Sequence, residues 1–169
     1  MTNSYRNDPS SLTTRLLYAD RELGYDPDCV APPIHQSVTH VAEDAAHFAR
    51  LAEEPLNDRF YARHGNPTSS RLAKVIAEME DGEAGMIFSS GMGATTTALM
   101  TFLKGGDHVV LQSNHYMGTM EVASHVLPKY GVEYTLVDQR DSAAFEAAVR
   151  PNTRMILLET PVNPVMHVT

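Results

Sequence analysis

The sequence predicts an α/β fold, a mainly parallel sheet with covering helices, preceded by an extended amino-terminal arm. Three observations predict it. From Asn66 onward, short apolar runs alternate with stretches whose apolar residues recur at helical spacing, the rhythm of strands and helices wound into a parallel sheet. Glycines punctuate that rhythm, with Gly82 after one helical stretch and Gly105-Gly106 before a Val-rich run. Before Asn66 the rhythm is absent, and Asp26-Pro27-Asp28 and Ala31-Pro32-Pro33 interrupt a segment with only short helical patterns. Residues 1–65 are therefore read as an arm, and 66–169 as the first part of an α/β domain.

The elements follow in order. Helical patterns near Leu12 to Leu23 and Asp44 to Glu53 lie within the arm. The spacing of Leu72, Val75, Ile76 and Met79 predicts a helix with Pro67 in its first turn, where a missing N–H costs nothing. Gly85 to Phe88 reads as a short strand, Gly91 to Leu103 as a helix and Asp107 to Gln112 as a strand. A helix around Met120 to Leu127, a strand at Val132 to Val137, a helix at Ser142 to Val149 and a strand at Met155 to Leu158 repeat the alternation. Glu159-Thr160-Pro161-Val162-Asn163-Pro164 closes the last strand, and without a covering helix after it the polypeptide is expected to continue in a longer parent protein.

Composition narrows the function classes. The 169 residues, 43% hydrophobic, suffice for one domain with a core. A formal charge of −8, from 21 acidic and 13 basic residues, argues against nucleic acid as a partner, because no basic patch is available to neutralise phosphates. Cys29 is the only cysteine, which rules out an intrachain disulfide and a cysteine-rich metal site and suits a reducing, cytoplasmic setting. No stretch approaches the roughly 20 apolar residues of a membrane helix, so no membrane partner is expected.

Ser89-Ser90-Gly91-Met92-Gly93-Ala94 stands between an apolar run and a helix, so the first-turn amides and the positive end of the helix dipole are available to a phosphate. Gly91 permits close approach, and Ser90 can add a hydroxyl. The same stretch also reads as a tight turn with capping serines. It lacks the Gly-Lys-Ser/Thr of a nucleotide-triphosphate loop, and Thr96 stands where a dinucleotide fingerprint has its third glycine. Upstream, Tyr61 and Arg63 lie two residues apart, which in an extended segment puts both on one face as a phosphate clamp, or as a half-buried phenol beside a solvent-facing guanidinium.

Taken in order, Tyr61-Ala62-Arg63, Gly65-Asn66-Pro67-Thr68, Ser90-Gly91-Met92, Tyr116 with Gly118-Thr119, and Glu159-Thr160-Pro161 with Asn163-Pro164 resemble the Cys/Met metabolism family of pyridoxal-phosphate enzymes. The resemblance runs from about Pro32 to Pro164. That family includes cystathionine synthases and lyases, methionine γ-lyase and O-acylhomoserine sulfhydrylases. It implies part of the large domain of the fold-type I, aspartate aminotransferase-like fold, with pyridoxal 5'-phosphate as cofactor. It also implies a lyase or transferase of sulfur amino acid metabolism, performing elimination or replacement at a β or γ carbon of an amino-acid substrate. Self-association follows as dimer pairs within a homotetramer, the active site shared between subunits through contacts made by the arm.

By the same resemblance, the amides of Gly91 and Met92, with Ser90, hold the cofactor phosphate, joined by Tyr61 and Arg63 of a neighbouring subunit. Tyr116 stacks on the pyridine ring and is the catalytic proton carrier, a role that needs cationic surroundings. Asn163 lies beside the ring hydroxyl, and Glu159 is a structural carboxylate. Met117 and His64 depart from the residues common at those places. His35, His40, His47, His108, His115 and His125 show no metal-ligand spacing and read as surface or satisfied core residues, so no metal is expected.

The chemistry of such an enzyme needs a Schiff-base lysine. Lys74, Lys104 and Lys129 are the lysines present; all three read as exposed, and none stands in the family's lysine motif. That lysine, the aspartate that pairs with the pyridine nitrogen and the arginine for the substrate carboxylate are expected beyond Thr169. The chain alone is therefore expected to be inactive. A non-catalytic phosphate-binding or subunit-association module is the alternative. A nucleotide-binding domain would leave Tyr61, Arg63 and Asn163 unexplained.

Overall fold

The computed structural model describes residues 11–19 and 28–169. The chain divides into two compact units between Ile87 and Phe88. In the first unit lie helices α1 (Leu12–Tyr18), α2 (Ala45–Glu53) and α3 (Pro67–Met79). Side-chain caps begin two of them: Asp44 accepts from the His47 amide at 2.7 Å, and Asn66 accepts from the Thr68 amide at 2.9 Å with Pro67 next to it. Asn66 also donates from Nδ2 to the His35 carbonyl, and the His35 amide donates to Thr68 Oγ1, so the start of α3 is tied to the chain before α2.

The expected helix over Leu72 to Met79 is present as α3, with Leu72, Ile76 and Met79 41–49% exposed and Ala77 and Glu78 buried. The guanidinium of Arg15 in α1 pairs with Glu78 at 3.0 Å and Asp81 at 3.1 Å. The predicted helix from Leu12 to Leu23 is seen as far as Tyr18, and residues 20–27 lie outside the described ones. Gly85 to Phe88, read as a strand, pairs with no strand among the described residues, and Met86 is 60% exposed. Apolar β-rich residues form a strand only when a ladder partner is present.

The second unit holds α4 (Gly91–Phe102), β1 (His108–Gln112), α5 (Met117–Glu121), β2 (Glu133–Val137), α6 (Ser142–Ala148) and β3 (Thr153–Leu157). All pairings are parallel, in the order β2-β1-β3, with Leu111 opposite both Leu136 and Leu157. β1 is central and every one of its residues is buried. Leu99 of α4 and Leu103 at its C-cap pack with Val109, Leu111, Ala123, Leu127 and Val132 as the core. The helix expected from Met120 to Leu127 is broken into α5, a wide π turn (Val122–Val126) and a 3₁₀ turn (Leu127–Tyr130). Pro128 has no amide to continue the ladder and its ring crowds the preceding turn, and Gly131, at φ +74°, ends the segment.

At the amino end of the sheet the fully buried His108 bonds Thr153 Oγ1 at 2.8 Å and Thr135 Oγ1 at 2.9 Å, one ring joining all three strands. At the other end, the carboxyl ends of β1 and β3 open side by side. The chain adds β2 on one flank of β1 and then crosses to place β3 on the other, and this reversal leaves a crevice beyond the strand ends.

Candidate functional site

That crevice is built first by α4. Ser90 caps the helix, its Oγ accepting from the Gly93 amide at 3.0 Å while its carbonyl accepts from Ala94. The amides of Gly91 and Met92 have no acceptor among the described residues. A Cβ added to Gly91 would meet nothing within 4 Å, so open space lies against this backbone. A helix start with two free N–H groups facing such space is suited to a phosphate. Both readings of the serine hold together: Ser90 Oγ accepts as a cap and its O–H can still donate outward.

A cavity of about 290 Å³ lies against this turn, lined by Gly91, Met92 and Thr95 of α4, by His115, Tyr116 and Thr119 after β1, and by Leu157, Leu158 and Glu159 at the end of β3. Tyr116 is 47% exposed, leaving ring surface available for stacking. Gly118 makes room for that ring: a Cβ there would stand 2.9 Å from Tyr116 Cε1 and 2.8 Å from Met92 Sδ. No lysine or arginine lines the cavity, so the cationic surroundings expected for Tyr116 are not supplied by these lining residues.

Glu159 organises one side. Its Oε2 accepts from the Tyr116 amide at 2.7 Å and its Oε1 from the Asn163 amide at 3.2 Å. His115 Nδ1 lies 3.5 Å from Oε2. Burial raises the pKa of the Glu159 carboxyl, but the two amides and His115 outweigh it and hold the group below its ordinary value. Burial lowers His115 more than Glu159 and the Leu157 carbonyl raise it, so the ring is favoured in its neutral form. His108 is lowered too, by burial and then by Arg150, against the opposing pull of Glu133.

These shifts share one sign. A buried histidine with a lowered pKa takes up protons less readily folded than unfolded, so its stabilising contribution is lost as pH falls below the unfolded value of about 6.5. For Glu159 the contribution is present above the ordinary carboxylate range and disappears as pH drops through its depressed value. Urea midpoints are accordingly expected to fall between about pH 7.5 and 5.5, and His108→Gln should flatten that slope.

The remaining residues predicted for the site are placed as follows. Asn163 is exposed beyond β3 and joins the cavity through the Glu159 carboxylate. Tyr61 and Arg63 belong to the first unit. Tyr61 bridges to Thr39 and the chain then turns, so the two side chains meet by a turn rather than on one face of a strand, with the guanidinium 4.9 Å over the phenol ring. Lys104 and Lys129 are exposed and do not line the cavity, and Lys74 of the first unit is half-buried rather than exposed as expected.

His115 and Gln112 were not singled out by sequence reasoning. His115 is neither a surface nor a satisfied core histidine, because it lines the cavity with a buried Nε2 that has no hydrogen-bond partner. Gln112, at the polar end of an apolar strand next to the Tyr116 loop, carried a weak signal in that position. Among the described residues there is no cluster of side chains that could hold a metal ion, and no helix long and apolar enough to cross a membrane.

Comparison with known proteins shows what the chain is similar to. A family described as "Cys/Met metabolism PLP-dependent enzyme" matches residues 13–169. The chain is 41% identical over 141 residues to an L-methionine gamma-lyase of Porphyromonas gingivalis, covering 83% of this chain and 35% of that protein. It is 47% identical over 109 residues to a cystathionine gamma-lyase of Bacillus subtilis, covering 64% of this chain and 28% of that protein. Among solved structures, a putative O-acetylhomoserine (thiol)-lyase of Campylobacter jejuni, which carries N'-pyridoxyl-lysine-5'-monophosphate, superposes with a TM-score of 0.83 at 28% identity. The match covers 94% of this chain and 39% of that one.

Proposed function

Because the chain belongs to the Cys/Met metabolism PLP-dependent enzyme family, we propose that it forms the cofactor-holding part of a pyridoxal 5'-phosphate site. The observation that carries this reading is the pair of acceptor-free amides, Gly91 and Met92, opening onto a cavity walled by Tyr116. The two amides bind the phosphate at the positive end of α4, and the Ser90 hydroxyl adds a third donor. Tyr116 lays its ring against the pyridine, and Asn163 directs its side-chain amide to the ring hydroxyl. Tyr61 and Arg63 approach the same phosphate from a second copy of the chain, which makes the site a shared one within a homotetramer.

When bound, the cofactor supplies an electron sink for bond cleavage next to an amino group. For the longer protein we propose elimination or replacement at the β or γ carbon of a sulfur-containing or O-acylated amino acid, with Tyr116 carrying a proton to or from the substrate. Relatives named as γ-lyases favour this class. Lys104 and Lys129 do not line the cavity, which supports the reading that this polypeptide holds the cofactor without the covalent link that the chemistry requires.

Incubation with pyridoxal phosphate, borohydride reduction and intact-mass measurement test whether any lysine of this polypeptide forms the link, and the expected result is no stoichiometric pyridoxyl adduct. A stoichiometric adduct on any of the three lysines would refute that reading. Binding itself is read by titrating the unreduced protein. Inorganic phosphate matching pyridoxal phosphate in affinity would instead mark a general phosphate-binding module.

A further inference from the structure

The Tyr116 loop and the Glu159 loop are held together by a polar group that the proposed cofactor contacts leave unused. Gln112 ends the central strand and is completely buried. Its side-chain amide clasps the backbone of Glu159 from both sides: Oε1 accepts from the Glu159 amide at 3.0 Å and Nε2 donates to the Glu159 carbonyl at 2.9 Å. The second Nε2 proton goes to the Asn114 carbonyl at 2.7 Å, two residues before Tyr116. Oε1 takes a further bond from Thr169 Oγ1 at 3.3 Å. Every hydrogen-bonding position of the buried Gln112 amide is thus used, and bonds in such a setting are strong and specify a single geometry.

What Gln112 fixes is the carboxylate that fixes the site. With the Glu159 backbone clasped, its side chain reaches the amides of Tyr116 and Asn163 with one oxygen each, and His115 stands against the first of those oxygens. His115 places Nδ1 3.5 Å from Oε2, so an N–H at that ring position is directed at the carboxylate.

We propose that Gln112 and His115 are positioning residues for the cavity, acting through Glu159: Gln112 sets the carboxylate's location and His115 its orientation, and together they place Tyr116 and Asn163 relative to each other. This deepens the cofactor reading and rests on it for its functional meaning, but the geometry it asserts is independent of any ligand.

The test uses amide hydrogen exchange of the whole protein, followed by nuclear magnetic resonance at Tyr116 and Asn163. Gln112→Met keeps the volume and removes all four bonds. It is expected to accelerate exchange at both amides by about tenfold or more, the effect of losing one well-formed hydrogen bond at each, while amides of α6 stay unchanged. His115→Asn should shift the Tyr116 amide resonance more than that of Asn163, because it touches only Oε2. Unchanged protection of both amides in folded Gln112→Met would overturn the proposal. If that variant does not fold, Gln112→Glu, which retains the acceptor toward the Glu159 amide and loses both donations, is read in the same way. Pyridoxal phosphate affinity is measured alongside. Faster exchange in a protein whose parent shows no affinity for pyridoxal phosphate would uphold the positioning and refute the cofactor reading, and the reverse pattern would do the opposite.

Discussion

Replacing Gly91 by aspartate is expected to reduce the affinity for pyridoxal 5'-phosphate about 100-fold, equivalent to about 2.7 kcal/mol, with no loss of thermal stability. The two halves of that expectation have different causes. A side chain at position 91 enters open space, since a Cβ there would meet nothing within 4 Å, so folding is not obstructed. Helix propensity improves over glycine, and an acidic group in the first turn of α4 interacts favourably with the helix dipole. The same carboxylate stands where the Gly91 and Met92 amides would receive the phosphate, and two anions cannot share that site. Equilibrium titration of the variant, paired with a thermal melt, separates the effects. Undiminished affinity would show that the phosphate lies elsewhere.

Replacing Leu99 by alanine is expected to cost about 3 kcal/mol of folding stability, the middle of the range for emptying a buried leucine site. Leu99 has no exposed surface and lies at the centre of the cluster that packs α4 onto β1 and the turns after α5. Alanine is the better helix former, so the loss comes entirely from packing and the cavity left behind. Urea titration should show a lower midpoint with an unchanged slope. The consequence extends to the site because the first turn of α4 carries the proposed phosphate donors. A loss below about 1 kcal/mol would mean that the neighbouring core collapses to fill the space.

How much of this was legible in the sequence depended on the distance over which each interaction acts. The start of α4 was readable because its cap is local: Ser90 reaches the Gly93 amide three residues on, and the free amides follow from helix geometry alone. The start of α3, with Asn66 and Pro67, was readable for the same reason. The alternation of apolar runs with helical patterns sufficed for a parallel sheet, and its central strand β1 is buried at every residue, as burial on both faces requires.

What was not legible depended on partners distant in sequence. The spacing of Leu72, Val75, Ile76 and Met79 marked α3 as a helix but not which residues it buries, and Glu78 is held by Arg15 from 63 residues away. Gly85 to Phe88 has strand composition, but composition cannot supply a ladder partner. His115 looked ordinary because its spacing to other histidines and carboxylates matched no ligand pattern. Its significance comes from Glu159 and from a cavity assembled by three separate elements.

By itself, the sequence determined the local chemistry: a helix start with free amides, an aromatic in the loop after the central strand and a Glu-Thr-Pro turn at the end of another. It could not determine that one carboxylate would hold Tyr116 and Asn163 together, or that Gln112 would hold that carboxylate from 47 residues away. Local hydrogen bonds and helical periodicity are set by neighbours along the chain. The clasp at Glu159 exists only because β1 and β3 pair in parallel and end side by side, a register that tertiary packing alone decides.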